Sequence, residues 1–224
     1  MNILELFCGT KSISKAFQKK GFEITTLDID PQFDPDICKD ILQIQPEDLE
    51  GYDIIWASPP CTYFSIANCN VSKHWGSIES HKYFPRSDEA KNSIQIIKRT
   101  LKIIKDKAPK LWFIENPRGM LRHIRYMIGL PRSTITYCQY GAPYMKPTDI
   151  WGYFPPGFPV RKCKNGDKCH IPSPRGTYKG ISDNLTPIER SIIPEGFCSL
   201  LAGHCKDFLK SSNTEKEEEN VKMG

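Results

Sequence analysis

Residues 53–61 read Asp-Ile-Ile-Trp-Ala-Ser-Pro-Pro-Cys, an unbroken apolar run that stops at two prolines and delivers a thiol. A short apolar run bounded by turn residues is the pattern of a strand buried on both faces, as in a parallel sheet with helices on each side. The same pattern recurs outward in both directions. Upstream, Ile3–Phe7 reads as a strand. A turn at Gly9 and Thr10 follows, then a helix from about Ser12 with Ile13, Ala16 and Phe17 facing inward and Gly21 as its stop. Glu23–Leu27 reads as a second strand ending on Asp28, and a short third lies near Ile37, ahead of Asp40 and Ile41.

Downstream, Ala90, Ile94, Ile97, Leu101 and Ile104 recur at helical spacing, which predicts a helix from about Ser87 to Lys107. Asp88 and Glu89 suit its positive end, and Pro109 lies just past its close. Leu111–Ile114 is another buried strand, running into Glu115-Asn116-Pro117. Segments near 134–138 and 149–154 are expected to complete the sheet. Strand and helix signals in alternation imply an α/β, Rossmann-like fold over residues 1–154.

The character changes after that. Residues 155–184 are rich in Pro, Gly, Lys and Arg and show no period, so a small irregular lobe is expected. Residues 185–210 regain a helical pattern, with Phe197, Leu201, His204 or Cys205, and Phe208 on one face, and are expected to pack back on the first domain. The charged stretch 211–224 has few large apolar groups and is expected to be disordered.

The chain has 224 residues and a formal charge of +5, mild enough to permit nucleic-acid binding without requiring it. No stretch is apolar enough to cross a membrane, and the first residues read as a strand rather than a secretory signal, so an intracellular monomer is expected. The nine cysteines then read as free thiols rather than a disulfide framework, with Cys8, Cys38 and Cys138 buried in apolar runs.

Ligands of open α/β sheets lie beyond the carboxyl ends of the strands. Four groups fall there: Phe7-Cys8-Gly9, Asp28, Pro60-Cys61 and Glu115-Asn116. Gly9 lets a ligand approach the backbone, Asp28 can accept both hydroxyls of a ribose, and Asp40 can accept from an adenine amino group. No dinucleotide fingerprint or phosphate loop is present. A nucleoside-bearing cofactor without phosphate fits, and S-adenosylmethionine is the commonest. Cys61, held after two prolines, is placed as a nucleophile. Glu115 ends an apolar strand, where burial should raise its pKa and let it donate or share a proton. Ser65 can bond within the loop after Cys61, whose His74 and His81 flank the expected mouth of the site.

Taken in order, LELFCGTKSISKAF, LDID, KDI, DIIWASPPCTYFS and FIENPRG resemble the first, second, third, fourth and sixth motifs of cytosine-5 DNA methyltransferases, and QYGAPYMKPTDIWG resembles a modified eighth. The compact form with Glu-Asn-Pro is most similar to phage and viral members. The resemblance implies a class I S-adenosylmethionine-dependent methyltransferase acting on DNA, duplex DNA foremost. In it Cys61, after Pro60, adds to carbon 6 of a flipped-out cytosine while Glu115, beside Asn116, bonds N3. A base or a water then removes the carbon-5 proton. It further implies Phe7, Gly9, Thr10, Asp28, Ile29, Asp40 and Ile41 as cofactor contacts, with Ile29 and Ile41 against adenine, and Ser65, Lys146 and Thr148 on the substrate side.

The departures are specific. Lys11 and Ser12 stand where the first motif carries further glycines, and Lys146 and Thr148 stand where the eighth carries two arginines. The lobe is far smaller than the usual target-recognition domain, so low sequence specificity is expected, read by side chains such as Arg161, Lys162, Arg175 and Lys179. One branch of the family methylates transfer RNA, which leaves RNA as an alternative substrate. A degenerate, non-catalytic nucleic-acid binder is the other alternative, and retention of both Cys61 and Glu115 argues against it. Within the lobe, CKNGDKCH places Cys163, Cys169 and His170 within eight residues, a set that can hold a structural zinc given a fourth ligand from elsewhere.

Overall fold

The computed structural model describes residues 1–65, 71–78, 82–172 and 185–222. The chain runs β1 (Asn2–Leu6), α1 (Ser12–Gln18), β2 (Glu23–Asp28), β3 (Ile37–Cys38), β4 (Ile54–Ala57), α2 (Val71–His74), β5 (Trp75–Ile78), β6 (Lys82–Pro85), α3 (Asp88–Lys107), β7 (Leu111–Pro117), β8 (Arg132–Thr136), β9 (Pro147–Trp151), α4 (Pro187–Ser191) and α5 (Glu195–Lys222). Seven strands form one sheet in the order β3-β2-β1-β4-β7-β9-β8. All are parallel through β7, while β9 runs antiparallel to both β7 and β8. This is the Rossmann-like class I methyltransferase architecture that the sequence led us to expect.

Strand alternation divides the core into two layers. Leu4, Leu6, Ile55, Ala57 and Ile114 face Ala90, Ile94, Ile97 and Ile104 of α3. Ile3, Ile54, Trp56, Phe113 and Ile150 face Ile13 and Phe17 of α1 and Phe197, Leu201 and Cys205 of α5. Covering both faces is why β4 and β7 carry no polar alternation. Helix α3 is closed at both ends as its sequence demands. The Ser87 hydroxyl accepts from the Ala90 N–H at 3.2 Å, Lys105 and Lys107 occupy the last turn, and Ala108 ends it in the left-handed conformation.

Several expectations are corrected. Residues 137–140 form a 3₁₀ turn rather than the end of a strand, and β9 closes at Trp151 rather than near residue 154. The stretch after Cys61 is not all loop, because β5 and β6 pair as a hairpin. Within it His74 is buried, its Nδ1 2.8 Å from the Ser87 hydroxyl, so it does not flank a site mouth; His81 lies outside the described residues. Cys38 is exposed, since the edge strand β3 is too short to be covered. The backbone of α5 continues to Lys222, beyond the expected end near residue 210. Its last turns are rich in Glu and Lys, residue types of high helix propensity. The base of the lobe joins the core through Phe158, which stacks on Phe154 with ring centroids 4.2 Å apart. Among the described residues no helix is long and apolar enough to cross a membrane.

Candidate active site

The carboxyl ends of β4 and β7 lie side by side, with Ala57 paired to Ile114. Ser58 and then the Pro59-Pro60-Cys61 turn therefore emerge next to Glu115. Hydrogen bonds stitch the two turns together. Asn116 Nδ2 donates to the Pro59 carbonyl at 2.9 Å, Phe64 and Ser65 donate backbone N–H groups to the Cys61 carbonyl at 2.9 Å each, and Met120 N–H reaches the Phe64 carbonyl at 2.6 Å. Asn116 is fully buried; its Nδ2 holds the Cys61 turn, and its Oδ1 has no partner among the described residues. Ser65 also bridges to Gly119.

Glu115 is buried and its Oε1 accepts from the Tyr137 hydroxyl at 3.0 Å. Burial pushes this carboxyl above its ordinary value, while Lys146, the Tyr137 hydroxyl and Ser58 pull it back. Cys61 is half-buried. Burial, then the charge of Glu115, pushes its thiol up, and Lys146 and Arg190 oppose that shift. Lys146 is thus the principal cation for both groups. It is fixed by donating to the Arg190 carbonyl at 2.7 Å and by lying 4.9 Å from the centre of the Tyr137 ring. Thr148 is fully buried, its hydroxyl 3.3 Å from the Lys146 carbonyl, so its place is under the site rather than on its surface.

At the ends of β1 and β2 a second cluster forms. Asp28 Oδ2 accepts from Gly9 N–H at 2.9 Å and Oδ1 from Asp30 N–H at 3.0 Å, which fixes the carboxylate and leaves each oxygen a further acceptor direction. Gly9 has a φ of 45°, and nothing lies within 4 Å of where a Cβ would stand, so the space over its backbone is open. Phe7 and Lys11 also adopt left-handed φ values, 59° and 57°. For a bulky residue such as Phe7 this conformation costs about 1 kcal/mol, the kind of strain that gathers at ligand sites. Thr10 bonds Ser12, Oγ to Oγ, at 2.9 Å. Ile29 is 64% exposed, an apolar side chain standing free where a flat base can lie. Asp40 caps the 3₁₀ turn 41–43 by accepting from Leu42 N–H at 2.9 Å, whereas Ile41 is buried in the core and offers a ligand little surface. The Asp28 and Asp40 carboxylates are acceptors that suit the hydroxyls of a ribose and the amino group of an adenine, both of which S-adenosylmethionine carries.

In the lobe, Cys163, Cys169 and His170 come together as expected, and Cys138 joins them. Arg161 and Lys162 are exposed at the lobe's base; Arg175 and Lys179 lie outside the described residues. Sequence reasoning missed Tyr137, Arg190 and Ser58. Tyr137 and Arg190 act on Glu115 and Cys61 from distant segments, so no local spacing reveals them.

The sequence matches the C-5 cytosine-specific DNA methylase family over residues 1–128. It is 32% identical over 176 residues to "Probable DNA (cytosine-5)-methyltransferase" of Frog virus 3 (isolate Goorha), an alignment covering 75% of this chain and 78% of the viral protein. Among solved structures, an Entamoeba histolytica methyltransferase, EhMeth, shares 17% identity with a TM-score of 0.48 over 73% of this chain and 57% of that one. The S. pombe Dnmt2 methyltransferase shares 15% with a TM-score of 0.43 over 68% of this chain and 48% of that one. The chain therefore spans about half the length of these solved structures.

Proposed function

Because the chain belongs to the C-5 cytosine-specific DNA methylase family, we propose that it methylates carbon 5 of cytosine in DNA through a covalent bond from Cys61. The observation that carries this reading is the placement of Cys61 and Glu115 on adjacent parallel strand ends with Lys146 set against both.

The target base must leave the duplex to reach a thiol at the sheet edge. The Cys61 sulfur, as thiolate, adds to carbon 6 of the ring. Glu115, held by Tyr137 and biased by burial toward its protonated form, bonds N3 and limits the charge that builds on the ring during that addition. Protonating Glu115 also removes the negative charge that disfavours the Cys61 thiolate, so one proton prepares both groups. Lys146 supplies the remaining compensation. Gly9, Asp28, Ile29 and Asp40 would hold S-adenosylmethionine, which when bound would supply an electrophilic methyl group for carbon 5 and leave as S-adenosylhomocysteine. Loss of the carbon-5 proton to a base or a water then restores the double bond and expels Cys61.

Gly9, Asp28, Ile29 and Asp40 are the residues we assign to holding the cofactor, with Asp28 on the ribose hydroxyls, Ile29 against the adenine face and Asp40 at its amino group. Asn116 is assigned a positioning role through Pro59. Ser65 is assigned to the substrate side of the loop, and Thr148 to supporting Lys146 and Tyr137. Duplex DNA is the proposed substrate and a monomer the proposed form.

The test supplies methyl-labelled S-adenosylmethionine with duplex DNA, single-stranded DNA and transfer RNA in separate reactions. Label should enter DNA, and 5-fluorocytosine in that DNA should trap an adduct that Cys61→Ser abolishes. Label in no polymer would overturn the enzymatic reading. Label in transfer RNA alone would move the substrate to RNA, and an adduct surviving Cys61→Ser would remove Cys61 as nucleophile.

A further inference from the structure

We propose that Cys138, Cys163, Cys169 and His170 bind a zinc ion, and that this ion clamps the base of the small lobe onto the turn at residues 137–140. Their ligand atoms all lie within 4.8 Å of one another. The Cys138 sulfur is 3.1 Å from that of Cys163 and 3.6 Å from that of Cys169, and His170 Nδ1 is 3.8 Å and 3.4 Å from the Cys163 and Cys169 sulfurs. Disulfide sulfurs sit at about 2.05 Å, much closer than any of these pairs. A tetrahedron built on zinc–sulfur bonds of about 2.3 Å has sulfur–sulfur edges of about 3.8 Å, so the observed spacing needs only a slight opening to admit the ion.

The local structure is arranged for such a clamp. Between Cys163 and Cys169 the chain turns back on itself, with Lys164 N–H donating to Asp167 Oδ2 at 2.7 Å, Asp167 N–H to the Lys164 carbonyl at 3.1 Å, and Gly166 at a φ of 96°. That turn aims two thiols the same way, and His170 follows directly. The fourth ligand comes from the catalytic sheet's side, where Cys138 sits in the 3₁₀ turn after β8. Cys163 N–H donates to the Thr136 hydroxyl at 3.2 Å and Thr136 N–H to the Arg161 carbonyl at 3.0 Å, so the two segments are already in register.

Two further observations point to a ligand rather than to four unrelated side chains. His170 is buried with Nδ1 facing the thiols, and its Nε2 has no partner. Thiols at 3.4 and 3.8 Å are weak partners for a buried imidazole nitrogen, and a metal bond at Nδ1 is a stronger one. The second is the lack of any other core. Among the described residues of 155–172 the buried side chains are Pro155, Phe158 and His170, and so small a lobe needs a staple. Three thiolates around one divalent ion leave a net negative charge, which the exposed Arg161, Lys162, Lys164 and Lys168 of the same segment offset.

The test is metal content, which does not depend on methyl transfer. Full-length protein, untagged and purified from cells grown with added zinc, should carry about one zinc per chain by mass spectrometry of the elements. Replacing zinc with cobalt(II) should give the intense visible bands of a tetrahedral thiolate site. Cys163→Ser/Cys169→Ser should abolish both signals, while Cys38→Ser, which removes an exposed thiol outside the cluster, should retain them. Should the double variant fail to fold, the cobalt spectrum of the unaltered protein still decides. Zinc at background together with no thiolate–cobalt absorption overturns the proposal, as does a disulfide among Cys138, Cys163 and Cys169 in protein kept under reducing conditions.

Discussion

The Tyr137 hydroxyl donates to Glu115 Oε1 at 3.0 Å, and both residues are buried. The bond favours the carboxylate, in opposition to the burial that favours the acid. Tyr137→Phe therefore raises the Glu115 pKa further and leaves Oε1 without its partner. The single-turnover methylation rate should fall by on the order of ten-fold as the carboxyl loses its fixed orientation. The alkaline limb set by ionisation of Glu115 should move to higher pH. A limb that stays in place would show that another group sets it.

Lys146 is the first cation opposing the raised pKa of Cys61. Lys146→Met should move the pH dependence of Cys61 alkylation by iodoacetamide upward, read on the Cys61 peptide by mass spectrometry so that the other thiols do not interfere. No cofactor or DNA is needed for the measurement. An unchanged profile would mean that the lysine neutralises Glu115 alone.

Glu5 lies under the start of α1, accepting from Ser14 N–H at 2.9 Å and from the Ser14 hydroxyl. Burial pushes its carboxyl up from 4.5 to about 7. The folded protein therefore binds this proton more tightly than the unfolded chain. The resulting stabilisation is complete below the unfolded value of 4.5 and is lost as pH rises through about 7. Glu5→Gln removes the titration. Urea unfolding across this range should show the parent losing on the order of 3 kcal/mol relative to the variant. Parallel curves for the two proteins would refute the assignment.

Gly196 approaches the Tyr140 carbonyl so closely that a Cβ would lie 2.6 Å from it. Gly196→Ala should cost about 1–3 kcal/mol by forcing α5 off the turn. Gly203→Ala, in the same helix with nothing within 4 Å, should instead stabilise by about 0.5–1 kcal/mol. Thermal unfolding of the two variants side by side checks the pair.

What the sequence revealed and what it hid divide along a physical line. Cys61, Glu115, Gly9 and Asp28 stand at strand ends, and a strand end is announced by the residues next to it in the chain. Tyr137 reads as the tail of a strand, yet it starts a turn whose side chain reaches back to β7. Cys138 has the surroundings of an ordinary buried thiol because its companions are 25 to 32 positions further along. The burial of Thr148 and Ile41 was equally hidden, since motif matching places a residue near a site without saying which way it faces.

The position of β9 between β7 and β8 sets an order of assembly. Glu115 pairs with Ile150 and Asn116 with Asp149, so the strand bearing Glu115 has an open edge until residues 147–151 have left the ribosome. The contact of Gly196 with Tyr140 postpones completion further, because the turn carrying Tyr137 gains its backing only when α5 docks. A nascent chain can therefore display the Cys61 turn long before the groups that tune it are in place. Any product released before about residue 196 would carry the Cys61 turn beside an unfinished centre.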